Sequence, residues 1–105
     1  MHDNQVVFID ERAGRILGAL DRRIQTEFHT LFNVLKSKGK LEYPSAKKIT
    51  KNLFEIRIKA QNQVRGIYAY LKLSRIIILH IFIKKTRKTP KKEIITALKR
   101  LQQYG

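Results

Sequence analysis

Residues Arg75–Lys92 have the sequence RIIILHIFIKKTRKTPKK, and they decide the fold, because an apolar run passes directly into a cationic one. The run from Arg75 to Ile83 is apolar on both faces of an extended chain, which is typical of a strand at the centre of a sheet. Six of the nine residues from Lys84 to Lys92 are basic. A buried strand followed by such a turn places flexible positive charges at the rim of a sheet, where they can hold a phosphate backbone.

Length and charge limit the classes of protein that fit this pattern. The chain has 105 residues, of which 43% are hydrophobic, so we assign residues 1–105 to one domain with a single core. Its net charge of +15 implies a polyanionic partner: nucleic acid, an anionic membrane surface or an acidic protein. Residues 1–35 carry four Lys or Arg and five Asp or Glu, whereas residues 36–105 carry nineteen and three. The basic surface therefore belongs to the last two thirds of the chain.

Several kinds of site and location are excluded or disfavoured. The chain has no cysteine, which excludes disulfides, thiolate metal ligands and cysteine nucleophiles and fits a reducing cytoplasm. The N-terminal residues lack the layout of a secretion signal, and the apolar runs are far shorter than the roughly 18 residues that span a bilayer. We expect a soluble, cytoplasmic protein with no membrane partner.

Upstream of the deciding stretch, the pattern predicts one strand and two helices. Val6 to Ile9 is β-branched and aromatic, and Asp10 is placed to cap a first helix. Asp21 can cap a second helix, which Gly39 ends. Both helices carry apolar residues at helical spacing, so each has one side to bury.

Two further strands are predicted before the central one. Residues Lys40 to Asn52 show no clear period and are predicted as a loop. In Leu53 to Ala60 (LFEIRIKA) apolar and charged residues alternate, which predicts a strand with one packed face and one charged face. Val64 to Leu71 is predicted as the next strand. The charged positions of the LFEIRIKA strand are Glu55, Arg57 and Lys59.

The chain ends in a predicted helix. Thr89 can act as its N-cap, and Pro90 suits its first position. Its apolar stripe comprises Ile94, Ile95, Leu98 and Leu101. The resulting order, β-α-α-β-β-β-α, predicts an α+β domain in which helices cover one face of a small, mainly antiparallel sheet.

A basic surface is the candidate functional site. The charged face of the LFEIRIKA strand, Arg65 on the next strand, and Lys84 and Lys85 after the last strand can all reach one shallow area. Simple exposure to solvent explains a charged face on any single strand. The convergence of basic residues from several strands on one area favours a binding role. The direction of Arg65 is ambiguous, because Ile67 and Ala69 would share its side, and a bulge or a strand start at Arg65 would resolve this.

Lys91 and Lys92 occupy the first turn of the predicted last helix. The helix macrodipole disfavours a cation there by about 0.3 to 1 kcal/mol. A bound anion would offset that cost, which favours phosphate contact over simple solvation. Lysines at a sheet edge also prevent sheets from pairing, so this second explanation stays open.

Histidine and tyrosine add few further candidates. His2, His29 and His80 lack metal-ligand spacing, and no cysteine accompanies them. His80 is either a satisfied imidazole in the central strand or a catalytic acid or base. Tyr68 and Tyr70 either pack or stack on a base, and Tyr104 either reaches the groove or covers the core. Phosphate-binding glycine loops, nucleophile elbows and carboxylate pairs do not occur.

Three segments, LFEIRIK, VRGIYAY and RIIILHIFIKKTRKTPKKEI, together resemble the phage-derived branch of the RelE/HigB-like toxins within the RelE/ParE superfamily. The last segment is the most specific. The resemblance implies the same β-α-α-β-β-β-α fold and a toxin of a type II toxin-antitoxin system. It implies an endoribonuclease that cuts mRNA on the ribosome by metal-independent attack of the RNA 2′-hydroxyl, without a cofactor. The implied partner is a cognate helix-turn-helix antitoxin of the HigA-like type.

We predict two sets of site residues. The resemblance, carried over by position, implies Arg57, Lys59, Arg65, Lys84, Lys85 and Arg87, and the residue pattern described above adds the others. The catalytic set is Arg57, Lys59, Arg65, His80 and Lys85, with Arg65 and Lys85 stabilising the phosphate. The RNA-binding set is Lys84, Arg87, Lys88, Lys91 and Lys92. Two positions depart from the pattern, because Ile81 replaces a glycine and Lys91 stands where some relatives have a tyrosine. The general base is therefore open between His80, Tyr104 and a lysine of lowered pKa.

Two other functions stay open. A ParE-like gyrase poison would share the fold and cut no RNA. A noncatalytic basic nucleic-acid-binding protein is equally compatible with the composition. Salt would weaken nucleic-acid binding by the nuclease and by the noncatalytic protein alike, so only a cleavage assay separates them.

Overall fold

A computed structural model describes residues 5–105, and five strands in it form one sheet in the order β1-β5-β4-β3-β2. β1 runs parallel to β5, and the other neighbours are antiparallel. The predicted α+β class with a mainly antiparallel sheet is confirmed. His2 lies outside the described residues. The elements are β1 (Val6–Ile9), α1 (Glu11–Gly18), α2 (Arg22–Lys38), β2 (Ala46–Thr50), β3 (Leu53–Arg57), β4 (Val64–Leu71), β5 (Arg75–Ile83) and α3 (Lys91–Gln102).

Capping residues set the ends of the first two helices as predicted. The carboxylate of Asp10 accepts hydrogen bonds from the backbone N–H groups of Arg12 and Ala13 at the start of α1. Asp21 begins α2 in the same way. Gly39 ends α2 in a left-handed conformation, with φ of 78°, which a residue without a side chain adopts most easily.

The predicted loop from Lys40 to Asn52 is wrong in part, because it contains the edge strand β2. In β2 only Ala46 is buried, and Lys47 and Lys48 are exposed. A strand at the edge of a sheet buries little, so its sequence shows almost no alternation. Its structure depends on hydrogen bonds to β3, and a register shift lies between Lys48 and Thr50.

The prediction that the helices cover one face of the sheet is also wrong. α1 and α2 pack on one face, and α3 packs on the other. Residues that alternate along β5 divide between the two cores: Ile76 and Ile78 contact the α1/α2 side, whereas Ile77 and Leu79 contact the α3 side. A strand that is apolar on both faces needs cover on both.

A bulge in β5 shifts this alternation near its end. Tyr68 of β4 pairs with Ile78, and the preceding residue Ile67 pairs with His80, so Leu79 is an extra residue. Beyond the bulge, Ile81 belongs to the core on the α1/α2 side, and Phe82 belongs to the core on the α3 side.

The start of α3 differs from the prediction as well. Pro90 is the N-cap, and its carbonyl accepts from the backbone N–H of Glu93 at 3.0 Å, while Thr89 makes no capping bond. The apolar stripe is rotated, because Ile95 and Leu98 are exposed. The residues that pack against the sheet are Ile94, Ala97, Leu101 and Tyr104. Among residues 5–105, no helix has the length and apolar character needed to cross a bilayer.

Candidate nucleic-acid interface

A buried carboxylate organises the basic surface. The side chain of Glu55 is 3% exposed, and its Oε1 lies 3.3 Å from Arg57 Nε, 3.5 Å from Arg65 Nε and 3.9 Å from Lys84 Nζ. The Thr89 hydroxyl donates to the other oxygen, Oε2. We call Glu55, Arg57, Arg65 and Lys84 the Glu55 cluster. One internal anion thus holds three cations at fixed positions.

Strand register brings these side chains together. Arg57 of β3 lies opposite Arg65 of β4, and Arg65 lies opposite Phe82 of β5, which places their side chains at one end of the sheet. Lys84 follows β5 directly, and its backbone N–H bonds the carbonyl of Gln63. The cluster therefore rests on backbone pairing of three strands and depends little on flexible loops.

The ambiguity about Arg65 is resolved by the extent of α3. Ile67 and Ala69 do share the side of Arg65, and they belong to the core under α3. Arg65 stands on the same face at the end of β4, within the Glu55 cluster. A single sheet face is thus apolar where the helix covers it and charged where it does not, so no bulge at Arg65 is required.

The electrostatics of the cluster favour an anionic ligand. Three cations surround one carboxylate, so the group has a formal excess of positive charge. The Arg65 Nε is buried, and within residues 5–105 it has no hydrogen-bond partner. Burial lowers the pKa of Lys84; Glu55 opposes this, and the positive charges of Arg65, Arg57 and Lys47 add to it. A phosphate at this surface would meet positive charge of Arg57 and Arg65 that the single carboxylate does not offset.

The cluster lies where three surface depressions meet. Arg57 and Lys84 line the first, together with residues of β2 and of the turn after β5. Arg65 and Lys84 line the second, and Arg57 and Arg65 line the third. An extended polyanion can therefore cross the surface and contact the cluster midway. The other basic residues along these depressions are Lys47, Lys48, Lys59, Lys85, Arg87 and Lys88.

Of the sequence-predicted RNA-binding residues, Lys84 belongs to the Glu55 cluster, and the other four lie in two places. Arg87, Lys88 and the predicted catalytic Lys85 are exposed on the turn after β5, beside the Glu55 cluster, and a hydrogen bond from the Thr86 hydroxyl to the Lys88 carbonyl (2.6 Å) shapes that turn. Lys91 and Lys92 are exposed in the first turn of α3, and Glu93 shares that turn. Lys59 is exposed just after β3, where its backbone N–H bonds the Glu27 carboxylate.

The structure does not bring His80 to the cluster. Its Nε2 lies 2.9 Å from Glu93 Oε1, and its Nδ1 lies 3.3 Å from Arg100 Nη1. The ring is buried under α3 and stacks on Phe82, with the two ring centroids 5.2 Å apart. Both nitrogens therefore already have partners, and the imidazole joins α3 to β5.

Tyr104 is likewise occupied elsewhere. Its hydroxyl donates to Asp10 Oδ2 at 2.6 Å, and its ring meets Phe8 edge-on. Burial alone would raise the pKa of Asp10, but hydrogen bonds from Arg12, Tyr104 and the backbone of Ala13 outweigh it and hold the pKa well below its usual range. The hydrogen bond to Asp10 raises the pKa of Tyr104. These residues link the C-terminus to α1 and take no part in the basic surface.

Tyr68 and Tyr70 pack rather than face the groove. Phe54 stacks on Tyr68 at 5.1 Å between ring centroids and meets Tyr70 edge-on. Burial raises the pKa of Tyr68, and the Tyr70 hydroxyl donates to the carbonyl of Gly39 at 2.7 Å. Tyr43, Lys47 and Lys48 were not predicted as site residues, because they lie in the segment that the sequence predicted as a loop. The central role of Glu55, whose carboxylate contacts all three cations of the cluster, was also not predicted.

Comparison with known families decides the relationship. The family described as "Phage derived protein Gp49-like" matches residues 15–102. The chain belongs to this family. None of the curated protein sequences compared with this Gp49-like chain matches it significantly.

Solved structures with a similar fold include RelE proteins. A double arginine-to-alanine variant of the E. coli toxin RelE in the free state has a TM-score of 0.71 at 13% identity, with 93% of this chain and 98% of that chain covered. The archaeal RelE–RelB complex from Pyrococcus horikoshii has a TM-score of 0.61 at 19% identity, with 81% of this chain and 99% of that chain covered. The RelBE2 toxin-antitoxin complex from Mycobacterium tuberculosis has a TM-score of 0.56 at 17% identity, with 77% of this chain and 99% of that chain covered. The resemblance noted in the sequence is confirmed in family and in fold.

Proposed function

We propose that this Gp49-like protein is the toxin of a toxin-antitoxin pair and that it cleaves mRNA on the ribosome in the cytoplasm. The single observation that carries the proposal is the Glu55 cluster, in which three strands hold three cations around one buried carboxylate. Such fixed charges suit a reaction whose transition state gains negative charge on phosphate oxygens. The likeness in fold to RelE toxins supports the same conclusion.

The proposed reaction is attack of an RNA 2′-hydroxyl on the adjacent phosphate. The 2′-hydroxyl loses its proton as its oxygen forms a bond to phosphorus, and the bond from phosphorus to the 5′-oxygen breaks. The 5′-oxygen takes a proton from water, so that a 2′,3′-cyclic phosphate and a 5′-hydroxyl result. The cluster would align the phosphate and stabilise its developing charge through Arg57 and Arg65. Lys85, at the rim, would hold the neighbouring backbone.

Lys84 is our candidate for the proton transfer that this reaction requires. Its Nζ is buried within the cluster, and burial lowers its pKa, so the neutral amine needed to accept the 2′-hydroxyl proton is easier to form than in a solvated lysine. Among the open alternatives, His80 and Tyr104 have partners elsewhere in the fold. The sequence-based assignment of Lys84 to RNA binding is thereby extended to chemistry.

The proposed protein partner is a cognate antitoxin. Two of the similar structures are complexes of a RelE protein with its antitoxin. We propose that the partner of this chain is of the HigA-like helix-turn-helix type, as the sequence motifs imply. Copurification of the two proteins from a co-expression strain tests this, and failure to copurify would contradict it.

Induction in a bacterium, followed by mapping of new RNA 5′ ends, tests the main proposal. Wild type should arrest growth and create new ends within translated mRNA. Arg65→Ala and Lys85→Ala should reduce them, whereas Arg15→Ala should not. Arg15 is the matched control, because it loses the same charge on exposed helix α1, on the other side of the sheet.

Other outcomes of this experiment would reject either the nuclease activity or the assigned site. Growth arrest without new RNA ends would overturn the nuclease, and DNA breaks in that strain would indicate a gyrase poison. If new RNA ends persist undiminished in both Arg65→Ala and Lys85→Ala, the protein is still a nuclease, but the assigned site is wrong.

A further inference from the structure

An exposed aromatic ring stands beside the cluster without a role in the fold. Tyr43 is 74% exposed, and the guanidinium carbon of Arg57 lies 6.0 Å from the centre of its ring. Tyr68, Tyr70 and Tyr104 are all engaged in packing or hydrogen bonds. Tyr43 is therefore the tyrosine available to an external ligand.

The backbone around Tyr43 is held to the sheet. The N–H groups of Ser45 and Ala46 bond the carbonyl of Glu42 at 2.9 and 3.2 Å. The N–H of Arg57 bonds the carbonyl of Ser45 at 2.8 Å. The ring thus projects from a hydrogen-bonded turn, which limits the entropy lost when a ligand binds to it.

The depression that follows this turn has an apolar lining and a cationic rim. Pro44 and Ile58 contribute apolar surface, and Arg57, Lys59 and Arg65 contribute positive charge. Glu27 also lines the depression, but its carboxylate already accepts from the backbone N–H groups of Lys59 and Ala60, so three cations stand against one engaged acid. A nucleotide has a flat base and an adjoining phosphate, so it matches both parts of the lining. Arg57 and Arg65 belong also to the Glu55 cluster, which keeps the base next to the phosphate that the cluster would bind.

We propose that the depression beside Tyr43 receives a nucleobase of single-stranded RNA, stacked on the Tyr43 ring, with its phosphate at the Glu55 cluster. This deepens the proposed function by naming the residue that binds the substrate next to the reacting phosphate. The positive charge of Arg57, Lys59 and Arg65 around this depression favours RNA over an apolar protein segment.

Binding and cleavage are tested separately. The probe is a short single-stranded RNA with 2′-O-methyl groups throughout, which cannot react by 2′-hydroxyl attack, and with 2-aminopurine at one position at a time. Wild type should quench the fluorescence at one position more than at the others. Tyr43→Phe should keep this quenching. Tyr43→Ala should lose it and weaken binding by roughly 5- to 150-fold, the effect of one base-aromatic stack.

Salt dependence distinguishes stacking from charge. Tyr43→Ala should weaken binding equally at every salt concentration, because no phosphate contact is lost. Arg57→Gln should instead make the slope of log affinity against log salt shallower, by about 0.7 for one phosphate contact. Ile16→Ala, on exposed apolar surface of α1, is the control and should bind like wild type.

Specific outcomes overturn the proposal. If Tyr43→Ala binds the probe as wild type does while wild type still cleaves mRNA, the base site is wrong and the nuclease survives. If wild type quenches at one position through Tyr43 but no mRNA is cut, the base site stands and the nuclease is lost. If Tyr43→Ala affects only binding of the antitoxin, Tyr43 is a protein contact and the base site is wrong.

Discussion

Replacing Glu55 with Gln tests the internal organisation of the cluster. Its Oε1 lies 3.3 to 3.9 Å from three cationic nitrogens. At an effective dielectric constant of about 20, each contact is a gross attraction of about 4 to 5 kcal/mol, much of it offset by desolvation. Removal of one member of a buried ion pair costs about 3 to 5 kcal/mol in unfolding free energy. Arg57 keeps part of its hydration, with its side chain 28% exposed, so we expect the lower end of that range.

The assay is denaturant and thermal unfolding of the purified chain, with Glu42→Gln as the control. Both variants lose one negative charge, but the side chain of Glu42 is 80% exposed and pairs only with Lys40 in the described structure. Glu55→Gln should lose about 3 kcal/mol, which is roughly 10 to 20 °C in Tm for a domain of this size. Glu42→Gln should change stability by less than about 1 kcal/mol.

RNA binding should change in the opposite direction. Glu55→Gln frees three cations from their internal partner, so its affinity for single-stranded RNA at low salt should rise and its salt dependence should steepen. Bound RNA should then raise the Tm of this variant more than that of wild type. Equal stability of the two glutamine variants, or weaker RNA binding by Glu55→Gln, would refute the role of Glu55 as the internal counter-charge.

Three further predictions concern residues outside the cluster. Tyr104→Phe removes the hydroxyl that donates to buried Asp10, so it should lower the unfolding free energy by about 1.5 to 3 kcal/mol and leave RNA cleavage unchanged. Because the folded-state pKa of Asp10 is depressed, the stability it contributes is present above its ordinary pKa of 3.8 and is lost as the pH falls toward the folded value. Urea unfolding of wild type and Asp10→Asn should therefore differ at pH 7 and converge as the pH falls below about 4; a constant difference would contradict this. His80→Gln should reduce stability through lost contacts to Glu93 and Arg100, and should keep cleavage of mRNA within about threefold of wild type; a loss of about a hundredfold or more in a folded variant would restore His80 as an acid or base.

Local features of the fold were predictable because their causes are local. Asp10 and Asp21 cap helices through their own side chains, and Gly39 ends α2 through its own backbone freedom. The strands Val64–Leu71 and Arg75–Ile83 were predicted with their observed bounds, because they are central and strongly apolar. Burial on both sides leaves a clear signal in sequence.

Features that depend on distant partners were not predictable. The strand Ala46–Thr50 exists through its pairing with β3, and its exposed lysines hide it. Thr89 looked like a cap, but its hydroxyl donates to Glu55, 34 residues earlier in the chain. The sequence indicated that β5 is apolar on both faces and so needs cover on both. It did not indicate which helix covers which face, because that depends on the path of the chain between the elements.

The candidate site was predictable in outline only. Alternation placed Glu55 and Arg57 on one face, and charge placed Arg65 and Lys84 near them. The sequence could not show that Glu55 is buried and touches all three cations, because that contact depends on the pairing of three strands. It also could not show that His80 is enclosed under α3, since a bulge at Leu79 precedes it.

The central claim is that the Glu55 cluster promotes attack by an RNA 2′-hydroxyl, and the most direct measurement replaces that hydroxyl. Purified protein is added to ribosomes that carry an mRNA with either a ribose or a 2′-deoxyribose at the mapped cleavage position. We expect cleavage of the ribose mRNA alone, with a 5′-hydroxyl on the downstream product, and a strong reduction for Arg65→Ala. Equal cleavage of both mRNAs would contradict it.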